Sequence, residues 1–149
     1  MYTYDHPRAA NSVDIILIRQ NPSGDQVLLI RRANDPYQGK YALPGGFVDI
    51  KEDLESAAAR ELAEETGLEQ IDLRQIHTFS APNRDPRGLV ITTAFGTILN
   101  DDHEFLLKHG SDASMAIWVN LSNLPPLAFD HLLIIKTALH YLGLDHTIK

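Results

Sequence analysis

The stretch Gly45-Gly46-Phe47-Val48-Asp49-Ile50-Lys51-Glu52-Asp53-Leu54-Glu55-Ser56-Ala57-Ala58-Ala59-Arg60-Glu61-Leu62-Ala63-Glu64-Glu65-Thr66-Gly67-Leu68 decides the fold. From about Asp53 to Thr66 it is built mainly of Leu, Ala, Glu and Arg, all strong helix formers, and Gly67 stands where a left-handed C-terminal cap belongs. A helix is predicted there. At about 100° per residue, Glu61, Glu64 and Glu65 fall at i, i+3 and i+4 and share one face. Three carboxylates crowded in this way repel one another unless a positive charge compensates, and a hard divalent cation with oxygen ligands is the natural one. Mg²⁺ suits best, because it keeps several waters and shares its shell with substrate phosphates. The preceding glycines permit close backbone approach, so the loop is expected to offer a carbonyl to the same cation. Taken alone, an acidic helix face is equally the solvated exterior of a Glu-rich helix.

Outward from this stretch, the chain alternates strand and turn signals. Ser12 to Arg19 is rich in β-branched residues and is followed by Asn21-Pro22-Ser23-Gly24, turn chemistry that joins it to a second strand, Gln26 to Arg31. Tyr41 to Val48 places short apolar pieces around Pro44-Gly45-Gly46. Beyond the helix, Ile71 to Ser80 and Leu89 to Leu99 read as strands joined by the polar loop Ala81 to Gly88; Ala116 to Val119 is a last short strand. From Asp130 to Leu142, apolar residues recur at helical spacing, with Asp130 expected as the N-cap. Strands, helix, strands, helix is the order of an α+β chain or an α/β/α sandwich, with most sheet neighbours antiparallel or mixed.

The full pattern resolves the acidic face. Gly46, five residues, Glu52, seven residues, then Arg60-Glu61-Leu62-Ala63-Glu64-Glu65-Thr66-Gly67-Leu68 resembles the Nudix box at every defined position. The resemblance implies a Nudix-type sandwich and hydrolysis of a nucleoside diphosphate linked to another moiety. It implies Mg²⁺ or Mn²⁺ held by Glu61, Glu64, Glu65 and the carbonyl of Gly45, with Glu61 and Glu64 also catalytic. Arg60 and Glu52 are expected to form an ion pair that aims the helix, against the alternative of an ordinary surface salt bridge. The base is expected among the box glutamates, with Glu104 and Asp112 as later-loop alternatives.

Substrate choice is expected outside the box. Asn83-Arg84-Asp85-Pro86-Arg87-Gly88 and Pro125 to His131 are similar to segments of ADP-ribose pyrophosphatases and of ADP-ribose-sensing regulators of NAD synthesis. Two arginines spaced by Asp-Pro in a stiff loop suit a diphosphate, although the same loop reads as a turn in which Asp85 pairs with its own arginines. Arg31 and Arg32 are expected to contact phosphate. Phe47 and Tyr41 offer an adenine-stacking face, with core packing the expected task of at least one. The expected substrate-binding set is therefore Arg31, Arg32, Phe47, Arg84, Asp85 and Arg87. The leading expectation is metal-dependent cleavage of ADP-ribose to AMP and ribose 5-phosphate. The alternatives are a nucleotide-sanitising triphosphate pyrophosphohydrolase and a non-catalytic ADP-ribose sensor.

Composition narrows the classes. The 149 residues include 13 Lys+Arg against 20 Asp+Glu, net −7, which argues against a nucleic-acid partner. Hydrophobic residues at 44% suffice for a core, and the length suits a single domain over 1–149. With no cysteine, there are neither disulfides nor thiolate metal sites, and the histidines lack zinc-ligand spacing. The polar N-terminus and the lack of a spanning apolar run predict a soluble cytoplasmic protein without a membrane partner, with a homodimer as one expected state.

Overall fold

The computed structural model describes residues 1–99 and 116–144. One mixed sheet contains β1 (Ala10–Arg19), β2 (Gln26–Arg31), β3 (Tyr41–Ala42), β4 (Gly45–Phe47), β5 (Arg74–Phe79), β6 (Val90–Leu99) and β7 (Ala116–Asn120). Helices α1 (Leu54–Thr66) and α2 (His131–Tyr141) cover its two faces. The central pair β1–β6 is parallel, from Ala10↔Val90 to Arg19↔Leu99, and the other strand pairs are antiparallel.

The central strand explains the layering. Val13, Ile15 and Leu17 of β1 join Ala57, Ala58 and Leu62 of α1 in one core cluster, whereas Ile16 and Ile18 join Ile134, Ile135 and Leu139 of α2 in the other. Alternate residues point to opposite faces, so a strand covered on both sides must be apolar throughout. That is why Ser12 to Arg19 reads as one apolar run broken only by Asp14. Each fully buried aliphatic side chain of this kind stabilises the fold by roughly 1.5–3 kcal/mol.

The start of two strands differs from the sequence reading by two residues or more. β5 begins at Arg74 rather than Ile71, because Ile71 and Leu73 pack against the cluster under α1 from the connecting segment. The strand β1 starts earlier, at Ala10, drawn on by its ladder with β6. None of the described helices is long and apolar enough to cross a membrane.

The sheet forks where the site lies. β1 pairs with β2 only at Ile18↔Val27 and Arg19↔Gln26. Away from that contact, β1 pairs with β4, from Asp14↔Gly45 to Ser12↔Phe47, while β2 pairs with β3 and β7. The strands diverge, and a cleft of about 540 Å³ opens between them.

Candidate active site

Helix α1 is fixed at both ends. The Asp53 carboxylate accepts the Ser56 N–H at 2.8 Å, and Gly67 adopts φ 79°, donating its N–H to the Ala63 carbonyl at 2.9 Å. Such an N-cap contributes about 1 kcal/mol, and the left-handed turn suits glycine. Its rotation about its own axis is fixed by Arg60. That guanidinium donates through Nε to Glu52 at 3.0 Å, through Nη2 to the Phe47 carbonyl at 3.1 Å, and through Nη1 to Glu61 at 3.0 Å. Glu52 also accepts the Asp49 N–H at 2.8 Å. The Arg60 hydrogen bonds hold Glu52 down at about 2, and Glu52 in turn raises the Arg60 pKa. This is a two-point clamp joining α1 to the chain leaving β4, and not an isolated surface pair.

The acidic face divides. Glu61 and Glu65 hydrogen-bond to each other, and burial pushes both pKa values up, that of Glu65 to about 8 with the Glu61 charge adding to the effect. Glu64 stands apart, with its side chain 58% exposed and turned to Arg60 at 3.3 Å. Among the described residues, no three acidic or imidazole groups stand together as a metal cluster, so the expected three-way convergence is not the geometry observed. The reason is local: Arg60 neutralises Glu64 one turn away, whereas Glu61 and Glu65 turn inward toward β4.

The glycines make that inward turn possible. The ladder bonds Ile15 N–H to Pro44 C=O and Val48 N–H to Asn11 C=O place Asp14↔Gly45 at a non-hydrogen-bonded pair. Both polar atoms of Gly45 therefore point away from β1, and its N–H donates to Glu65 Oε1 at 2.9 Å. A Cβ on Gly46 would lie 2.4 Å from Glu61 Oε1, and one on Gly45 would lie 2.1 Å from the Val13 carbonyl oxygen. Two inward carboxyl groups hydrogen-bonded to each other, beside a backbone edge with an outward carbonyl, form a donor set suited to a hard divalent cation.

The cleft wall opposite is polar and closed. His131 Nδ1 accepts the Leu43 N–H at 2.9 Å, its Nε2 lies 3.4 Å from Asp14 Oδ1, and Thr92 donates to Asp14 Oδ2 at 2.6 Å. Burial lowers the His131 pKa, which favours the neutral ring that this hydrogen bond requires. The network ties α2 and β1 to the residue two before Gly45.

The outer end is basic and aromatic. Arg32, Phe47, Arg87 and Phe129 line the cleft together with Glu65 and Gly45. Arg87 is held twice by Asp85, at 3.1 and 2.8 Å, and its guanidinium lies over Phe47 at 4.8 Å and Phe129 at 5.4 Å. Burial pushes the Asp85 pKa up, but the hydrogen bonds from Arg87 outweigh it and the net shift is down. Arg32 lies over Phe129 at 4.9 Å, and desolvation followed by the Arg87 charge lowers its pKa.

Several expected roles change. Arg31 is not among the cleft-lining residues; as the neighbour of Arg32 it projects the other way, with Nε donated to the Gly39 carbonyl at 3.1 Å. Arg84 reaches the cleft wall, but its guanidinium is buried and bound at two points to Asp130, at 3.0 and 2.7 Å, so it does not bracket a diphosphate with Arg87. Asp130 occupies the N-cap position of α2 without a capping hydrogen bond, because that carboxylate serves Arg84. Of the two readings of the Arg84-to-Gly88 loop, Asp85 pairs with one of its arginines, Arg87. Tyr41 packs against the core cluster under α2, leaving Phe47 as the exposed ring. Glu104 and Asp112 lie outside the described residues.

Phe129 lies within the Pro125-to-His131 segment singled out in the sequence, but nothing there distinguished it from its neighbours as a site residue. Its backbone at φ 52°, and that of Tyr37 at φ 62°, lie in the left-handed region, a conformation costing bulky residues on the order of 1–3 kcal/mol each.

Residues 9–138 match the model of the NUDIX domain family. An ADP-ribose pyrophosphatase of Methanocaldococcus jannaschii is 46% identical over 133 residues, covering 89% of this chain and 73% of that protein. An ADPR responsive transcriptional repressor of Acinetobacter baylyi is 34% identical over 85% of this chain, which spans about half (52%) of that longer protein. Among solved structures, the NUDIX domain of Shewanella oneidensis NrtR complexed with ADP ribose superposes with a TM-score of 0.83 at 31% identity, covering 92% of each chain. A box whose glycines and Glu65 line the cleft while Arg60 and Glu52 hold its helix in place, in a chain matched over most of its length, places this protein in the NUDIX domain family.

Proposed function

We propose that this protein hydrolyses ADP-ribose to AMP and ribose 5-phosphate with a divalent cation, Mg²⁺ or Mn²⁺. The observation that carries the reading is the polarity of the cleft. Glu65, with Glu61 hydrogen-bonded behind it, gives the cleft an acidic inner end, while Arg32, Arg87 and the exposed Phe47 ring give it a basic and aromatic outer end. A cation-bound diphosphate carrying a nucleobase is complementary to both ends.

Glu61, Glu65 and the outward Gly45 carbonyl would hold the cation, with Glu64 joining them on leaving Arg60. When bound, such an ion neutralises phosphate oxygens and lowers the pKa of a bound water. Glu52 and Arg60 keep α1 at the rotation that presents these carboxylates. Arg32 and Arg87 receive the phosphate oxygens, and Phe47 stacks on the adenine. Attack by water forms one P–O bond and breaks the P–O bond of the bridging oxygen, with Glu61 or Glu64 accepting the water proton. The likeness to an ADP-ribose pyrophosphatase and to a domain complexed with ADP ribose supports this substrate over nucleoside triphosphates.

The test is product release from ADP-ribose, NADH, dinucleoside polyphosphates, nucleotide sugars and oxidised nucleoside triphosphates, with Mg²⁺ and with chelator. Metal-dependent turnover strongest on ADP-ribose is expected. Preference for triphosphates replaces the substrate assignment, and tight ADP-ribose binding without turnover replaces the enzyme with a sensor.

A further inference from the structure

Phe129 lies just before α2, at φ 52°, in a left-handed conformation that a phenylalanine rarely adopts. Such backbone persists only when surrounding contacts over-determine it, and it concentrates at ligand clamps. Here the contacts converge from four directions. The Arg32 and Arg87 guanidiniums lie over the ring at 4.9 and 5.4 Å, Tyr37 meets it edge-on at 4.8 Å and 63°, and His131 lies at 5.3 Å. Tyr37 belongs to the β2–β3 loop and is itself left-handed. Two loops remote in sequence therefore each adopt a costly conformation to bring one ring against the other.

The two guanidiniums share this ring although their charges repel, and Arg87 makes the Arg32 cation less favourable. Their bonds to protein are incomplete. Arg32 donates Nε to the Pro36 carbonyl at 2.6 Å, and Arg87 donates Nε and Nη2 to Asp85; among the described residues, neither Arg32 Nη1 and Nη2 nor Arg87 Nη1 meets an acceptor. Donors left over on two immobilised cations facing one cleft suit the oxygens of an anion. Cations already ordered by a ring lose less side-chain entropy on binding.

We infer that Phe129 is a positioning residue for anion recognition, its ring holding Arg32 and Arg87 side by side to receive the diphosphate of the substrate. The inference rests on the reading of Arg32 and Arg87 as phosphate-binding residues. It assigns the backbone strain of Tyr37 and Phe129 to the binding site, with the inner side of Phe129 packed against the core cluster under α1.

The test compares Phe129→Asn, Phe129→Leu and Phe129→Tyr. Asparagine accepts the left-handed backbone and deletes the ring; leucine keeps apolar bulk without a π face; tyrosine keeps the ring. The first readout is the Kd for ADP-ribose in chelator, measured by calorimetry, which needs no turnover, with inorganic pyrophosphate as a second probe of the anion subsite alone. Both Kd values are expected to rise about ten-fold in the Asn and Leu variants and to stay within about three-fold of wild type in the Tyr variant, the loss of two cation–π contacts setting the scale. In turnover, KM should rise by the same factor while kcat falls far less. Unchanged Kd and KM in a folded Asn or Leu variant overturn the inference, as does equal weakening by Tyr. If the wild type binds pyrophosphate but not ADP-ribose, the substrate assignment falls while the pyrophosphate comparison still decides the role of Phe129.

Discussion

Removing the carboxylate of Asp130 should destabilise the fold more than it alters the chemistry. Arg84 has a side chain only 3% exposed and gives Asp130 two charge-assisted hydrogen bonds at 3.0 and 2.7 Å, while Asp130 retains 18% exposure. Breaking a fully buried pair from one side costs about 3–5 kcal/mol, because the other charge is left without compensation. Partial access of water at Asp130 reduces this to about 2–4 kcal/mol for Asp130→Ala. In a domain of this size each kcal/mol moves Tm by about 2–4 °C, so a fall of about 4–16 °C is expected in thermal unfolding followed by circular dichroism at pH 7. The deficit should persist at 0.5 M salt, since a buried pair is poorly screened. The double substitution Arg84→Met with Asp130→Leu should recover most of it, because no charge is then stranded. A Tm within about 2 °C of wild type for Asp130→Ala, or a double variant as unstable as the sum of the two singles, refutes the reasoning.

Glu65→Gln keeps an acceptor for the Gly45 N–H but removes a charge from the acidic pair; turnover should fall by at least about 100-fold with Tm preserved, and near-native turnover would show that the cation is held elsewhere. Because the folded, metal-free protein keeps a proton at Glu65 up to about pH 8 and an unfolded chain releases it near the usual 4.5, metal-free stability should decline as pH rises across that window. Cation affinity should rise across the same window with proton release on binding, read by calorimetry in two buffers of different ionisation enthalpy, and pH-independent affinity from 6 to 8.5 would contradict the raised pKa of Glu65. Gly46→Ala should fold but lose cation affinity, since its Cβ displaces the Glu61 carboxylate, a side chain that can yield, whereas Gly45→Ala should fail to fold well, since its Cβ meets the Val13 backbone. Equal Tm values for the two alanine variants would show that the β1–β4 contact yields.

How the sheet forks is not legible in the chain. The β1–β2 turn is plain from Asn21 to Gly24, yet nothing in either strand signals that their pairing stops after Ile18↔Val27 and Arg19↔Gln26, leaving a cleft beyond. The partners of Arg84 and His131 are equally distant, Asp130 at 46 residues and Leu43 at 88. A propensity argument at Asp130 correctly finds the start of a helix and misses that its carboxylate has a stronger claim elsewhere. The alternation of Arg31 and Arg32 states that the two face opposite ways, but only the packed sheet decides which of them meets the cleft.

The amino-acid sequence by itself determined whatever depends on fixed local geometry: the helix from its propensities and caps, the common face of its glutamates from the 3.6-residue repeat, the strand β1 from its β-branched residues and the turn after it, and the family from the spacing of its box. Tertiary structure alone decided which of those glutamates turn inward, that Arg84 is paired with Asp130, and that Tyr37 and Phe129 sit in left-handed conformations. Periodicity restricts neighbours within one element, whereas partners from different elements are selected by packing and desolvation, which exist only once the chain has closed on itself.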